Sequence, residues 1–64
     1  MTLQLTIPDM ACAACAETIT KAVNSLDPTA QVEANLQTKQ VRIETQALPE
    51  TVKATISAAG YTVA

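Results

Sequence analysis

Thr2-Leu3-Gln4-Leu5-Thr6-Ile7-Pro8-Asp9-Met10-Ala11-Cys12-Ala13-Ala14-Cys15 is the stretch on which the fold turns. Before Pro8 its apolar residues recur every second position, and after it they recur at helical spacing. Leu3, Leu5 and Ile7 share one face of a strand. Pro8 has no N–H to donate and ends pairing, so Asp9 to Ala11 read as a loop. From about Ala13 a helix is expected, with Cys15, Ile19, Ala22, Val23 and Leu26 on its buried stripe and Glu17, Lys21 and Asn24 facing away. It ends near Asp27-Pro28.

Outward from that stretch two more alternating runs and a second helical stripe follow. Val32, Ala34 and Leu36 alternate as a second strand, Gln37-Thr38-Lys39 form a turn, and Val41 and Ile43 are the inward residues of a third strand. This hairpin lacks the Asn-Gly or Asp-Gly pair that most strongly marks such turns. Pro49-Glu50 open a second helix, since Pro is tolerated where the N–H has no intrahelical partner. Its stripe is Leu48, Val52, Ile56 and Ala59. Gly60, the only glycine, stands where a left-handed C-terminal residue is required, and Tyr61-Thr62-Val63 follow as a short last strand. Strand-helix-strand-strand-helix-strand is the ferredoxin-like βαββαβ order, an α+β fold with a four-stranded antiparallel sheet and two helices on one face.

Composition limits what such a chain does. Sixty-four residues form one domain at most, burying only about 60% of the surface of the unfolded chain. No apolar run approaches the roughly 20 residues of a membrane span, and no secretory signal is evident, so a soluble protein of the reducing cytoplasm is expected. Four Lys and Arg against six Asp and Glu, with one aromatic residue, argue against nucleic-acid binding. Lys21, Lys39, Arg42 and Lys53 read as solvated charges, with docking a sharper role for Lys21.

Chemistry concentrates at the two cysteines. Cys12 in the loop and Cys15 in the first helical turn stand three residues apart, a separation at which Cβ atoms lie about 5–6 Å from each other on a helix. Unpaired N–H groups and a partial positive charge at a helix N-terminus favour thiolate for a sulfur placed there. Metal, redox and disulfide chemistry are the candidates. A disulfide across so small a loop removes only about 2 kcal/mol of unfolded-chain entropy. The thioredoxin-like reading meets a chain too short for that scaffold, without aromatic residues beside the cysteines. With no His and two Cys, the chain cannot close the four-donor sulfur-nitrogen shell usual for structural zinc. Cu(I) is soft, suits thiolates and accepts two ligands. An ion held by two ligands stays open to a third thiolate, which permits transfer between proteins.

Met10-Ala11-Cys12-Ala13-Ala14-Cys15 resembles the M-x-C-x-x-C motif of heavy-metal-associated domains, and the element order is the one that family uses. The resemblance covers essentially the whole chain, residues 1–64, as a single domain. Within the family the chain is most similar to free-standing bacterial copper chaperones, especially cyanobacterial ones, which pass Cu(I) to similar domains of copper-transporting P-type ATPases. The resemblance implies a carrier and not an enzyme, with Cys12 and Cys15 as Cu(I) ligands and Met10 as a buried anchor of the loop. Two departures stand out. Asp9 occupies the position before Met10 where Gly is usual, supplying a carboxylate that a harder ion could use as an extra ligand. Tyr61 follows Gly60 where cyanobacterial chaperones often have His, and the loop of Gly60 and Tyr61 is expected beside the metal loop, where a Tyr packs and hydrogen-bonds.

Other readings remain beside the free chaperone. One is an excised N-terminal domain of a P-type ATPase; the start at Met and the end one strand after the last helix favour the free protein. Another is a zinc or cadmium domain using Asp9, weakened by Ala11 standing where zinc-transporter domains of the family carry Asp. Ala11, Ala13 and Ala14 form a small apolar rim suited to a brief dock below about 1,200 Å². Two such loops sharing copper would give a copper-dependent homodimer.

Overall fold

The computed structural model describes residues 2–64; Met1, part of the expected domain, lies outside the described residues. Its elements are β1 (Thr2–Thr6), α1 (Ala13–Leu26), β2 (Gln31–Asn35), β3 (Gln40–Glu44) and α2 (Pro49–Ala58). The sheet order is β1-β3-β2, antiparallel throughout. Leu3 pairs with Ile43 and Leu5 with Val41, which aligns the inward residues of the two strands. Ile7, Met10, Ile19, Val23, Val41, Ile43, Val52 and Ile56 are fully buried and join the sheet to both helices in one core.

The described residues contain three strands, not the expected four. Residues 61–64 run past β1 with a single backbone bond, from the Ala64 N–H to the Thr6 carbonyl at 2.8 Å. The Thr62 N–H, another donor of that segment, goes instead to the Asp9 carboxylate at 3.1 Å. One ladder bond does not make a strand.

Three residues depart from their expected faces. Leu48 is 66% exposed, because its extended backbone (φ −67°, ψ 143°) makes it the N-cap of α2 and takes it out of the helical period. Ala34 is exposed on β2, which among the described residues pairs with β3 alone. Asn24 is half-buried, and its side-chain oxygen is buried without a hydrogen-bond partner among the described residues.

The end of α2 follows the expected capping rule. Gly60 has φ +100°, its N–H meets the Ser57 carbonyl at 3.0 Å, and the Tyr61 N–H reaches back to Ile56 at 3.4 Å. This pair of bonds is a Schellman motif. The hairpin turn spans residues 36–39, where the Asn35 side chain accepts from the N–H groups of Gln37 (2.9 Å) and Thr38 (3.2 Å). Lys39 then takes a left-handed backbone, φ 63°.

Asp27 fastens the end of α1 to the chain after β3. Its carboxylate accepts from the hydroxyls of Thr45 (2.6 Å) and Thr29 (2.7 Å) and from the N–H groups of Thr29 (3.0 Å) and Gln46 (3.3 Å). These donors, Thr45 first, hold its pKa down to about 2. A carboxyl depressed in the folded state stabilises above its unfolded pKa and loses that contribution as pH falls through its folded value. Asp27→Ala is therefore expected to melt below the parent near neutral pH, with the gap narrowing between about pH 4 and pH 2; thermal melts against pH test this. In the core, Ile56→Ala should cost about 2–5 kcal/mol, much of the roughly 3–10 kcal/mol expected for a chain of this size, read by urea unfolding.

Candidate metal centre

Cys12 ends a loop that several contacts hold, and Cys15 lies in the first turn of α1, which that loop enters. Pro8 and Asp9 are the central residues of a turn closed by the Met10 N–H and the Ile7 carbonyl at 3.1 Å, and Pro suits the first central position because its φ is preset. Beyond that turn the Met10 side chain drops into the core with no exposure. Asp9 points both carboxylate oxygens at the Thr62 N–H, tying the loop to the C-terminal segment. The Lys39 ammonium group also donates to the Met10 carbonyl, at 2.8 Å.

Cys12 is the N-cap of α1, with an extended backbone and no side-chain cap bond. No acidic side chain occupies the first turn, so the orphan N–H groups and the positive end of the helix dipole lie open to the sulfurs. Cys12 is exposed and Cys15 half-buried, both free, with their sulfurs 3.5 Å apart. The Cys15 pKa is lowered to about 7. The Tyr61 hydroxyl is the largest cause, followed by the Ala11 N–H, the Cys12 thiol and the Cys12 N–H, against a desolvation that opposes them. At neutral pH this sulfur is about half thiolate. The same partnership pushes the Tyr61 phenol up, since its proton is held by the Cys15 sulfur, while a hydrogen bond with Thr18 acts the other way.

The fold thus brings Cys12, Cys15, Met10 and Tyr61 to one end of the molecule, with Gly60 supplying the reversal that turns Tyr61 back. Asp9 is nearby in the chain, but its carboxylate is engaged with Thr62. Among the described residues no group of three Cys, Asp, Glu or His side chains is placed to hold an ion. Lys39 is the residue that sequence reasoning missed, because it was read as a solvated charge in a turn. Its one signal was a hairpin turn without the Gly or Asn usual at a left-handed position.

A family model for the heavy-metal-associated domain matches residues 4–62. The chain belongs to the heavy-metal-associated domain family. Among solved structures, the copper chaperone Atx1 from Synechocystis PCC6803, in a trimeric Cu1 form carrying tyrosine in place of a histidine, is similar at 44% identity and TM-score 0.95, covering 97% of this chain and 98% of that one. A cyanobacterial copper metallochaperone, ScAtx1, is similar at 44% identity and TM-score 0.82 over 100% of both chains. A third, described under crosstalk between Cu(I) and Zn(II) homeostasis, has 40% identity and TM-score 0.95, covering 97% and 98%. A comparison with curated proteins gives no match. These similar structures share the fold of this chain.

Tyr61→Phe removes the largest cause of the low Cys15 pKa, so the pH midpoint of Cys15 alkylation in the reduced, metal-free protein should rise above about 7. A profile that keeps its midpoint would show that the backbone donors suffice.

Proposed function

We propose that this protein is a copper metallochaperone that carries Cu(I) between Cys12 and Cys15 and passes it by ligand exchange to the similar domain of a copper-transporting P-type ATPase. The observation that carries this reading is the pair of free sulfurs 3.5 Å apart at an exposed loop, one of them with a pKa near 7. At a metal–sulfur distance of about 2.3 Å, as for zinc thiolates, two such sulfurs fit within the shell of one ion. A soft monovalent ion is satisfied there, whereas a zinc shell is left short of donors. The naming of the cyanobacterial relatives as copper chaperones supports the same cargo.

Transfer begins when a thiolate of the partner adds to the ion, and it ends when Cys12 and Cys15 leave in turn. Cys12 suits the role of the sulfur that meets the partner, being the more exposed of the two. Cys15 is steadied by Tyr61, so the site keeps one anchored ligand while the other exchanges. The exposed Ala11, Ala13 and Ala14 let another backbone approach without desolvating charge. In this account Met10 anchors the loop, Gly60 and Tyr61 support it, and Asp9 braces the C-terminal segment instead of ligating. Two copies sharing copper through these loops form the copper-dependent homodimer. Among the described residues no helix is long and apolar enough to cross a membrane, and the cytoplasm, where thiols stay reduced, is the fitting compartment. Residues 1–64 act as one carrier domain, free of catalysis.

Competition titrations of the reduced protein with Cu(I) and with Zn(II) test the assignment. Cu(I) should bind tightly and lose most of its affinity in Cys12→Ser and Cys15→Ser, Zn(II) should bind much more weakly, and Asp9→Ala should leave Cu(I) affinity nearly unchanged. A large loss in Asp9→Ala, or Zn(II) retained against a chelator that strips Cu(I), would transfer the site to a carboxylate-assisted zinc or cadmium function.

A further inference from the structure

Lys39 breaks a local rule and makes a specific contact. Its backbone is left-handed (φ 63°), a conformation that side chains with a Cβ adopt at a cost and that hairpin turns usually give to Gly or Asn. An outlier of this kind persists where the surrounding structure uses it. Here two bonds use it. The Lys39 carbonyl accepts the Ile7 N–H at 2.8 Å, and the Lys39 ammonium group reaches across the sheet end to the Met10 carbonyl, also at 2.8 Å. The chain between those contact points is the turn that leads into the cysteine loop.

The Met10 carbonyl and the Ala11 N–H belong to one peptide group. That group is trans, as every described peptide is, so its carbonyl and N–H point in opposite directions. With the carbonyl drawn to Lys39, the N–H is turned away from it, toward the Cys15 sulfur, which receives this N–H as one of its donors. A carbonyl bonded to a cation also polarises its peptide, strengthening the N–H as a donor.

We infer that Lys39 is a positioning residue for the cargo site, its ammonium group holding the Met10 carbonyl and so aiming the Ala11 N–H at the Cys15 sulfur. It acts from the hairpin through one peptide plane and touches neither sulfur. This role rests on the reading of Cys12 and Cys15 as the metal ligands. It also gives the β2–β3 hairpin a part in holding the ion, although that hairpin contributes no ligand.

Three substitutions separate this role from a merely structural one. Lys39→Met keeps the apolar stem and the backbone strain but removes the donors. Lys39→Gly removes the donors and relieves the strain. Lys39→Arg keeps a cationic donor. Two quantities are read on each full-length variant: amide exchange of Ala11 in the reduced, metal-free protein by NMR, and withdrawal of Cu(I) by a colorimetric chelator. Both should quicken about 3- to 10-fold in the Met and Gly variants, the span one such hydrogen bond is worth, and return most of the way in Lys39→Arg. Thermal stability should order differently, with Lys39→Gly above Lys39→Met. Ala11 exchange unchanged in both variants, or loss in Lys39→Met alone in step with its stability, overturns the inference. A parent protein that fails to hold Cu(I) overturns the proposed cargo instead, while Ala11 exchange still decides the role of Lys39.

Discussion

Burial of Met10 is the constraint on which the site depends. A side chain with no exposure, sharing the core of Ile7, Ile19, Val23 and Ile56, pins the middle of an otherwise open loop to the hydrophobic core. Close-packed interiors tolerate little displacement, so the backbone on either side inherits that precision. Asp9 on one side is free to reach Thr62, and Ala11 and Cys12 on the other are carried out to solvent at the start of α1. The loop can be exposed and ordered together because its anchor is not exposed.

Around that anchor, polar contacts do what a larger core would do in a longer chain. Asp27 gathers four donors from two segments, Asp9 collects the C-terminal segment, and Lys39 collects the turn before the cysteines. Each joins segments far apart in sequence. The only surface ion pair among the described residues, Arg42 with Glu44 at 3.6 Å, is more than half exposed at both ends, and such pairs contribute little. Beside the Met10 anchor, order at the site comes from hydrogen bonds to backbone made by the turn residues Asp9 and Lys39.

The two sulfurs differ because their surroundings differ. Cys12 ends the loop in an extended conformation facing solvent, whereas Cys15 sits one turn into the helix, with a phenol and two backbone N–H groups close by. In the proposed carrier role, one sulfur that holds and one that exchanges would let an ion be kept in transit and still be surrendered to a competing thiolate.

Local pattern alone determined much of this molecule: the period-two run of Leu3, Leu5 and Ile7, the helical stripe of Ile19 and Val23, the Pro49 start and Gly60 stop of α2, and the spacing of Cys12 and Cys15. These are properties of a segment and its solvent, so they can be read one segment at a time. What only the tertiary structure decided involves partners distant in sequence. Leu48 left its stripe because capping geometry overrode helical period, and residues 61–63 were not a strand because the Thr62 N–H found Asp9, 53 residues away. Lys39 became part of the site because folding brought its ammonium group to a carbonyl 29 residues earlier. A long polar side chain gives no periodic signal of its target, and the target here was a backbone oxygen, which every residue possesses.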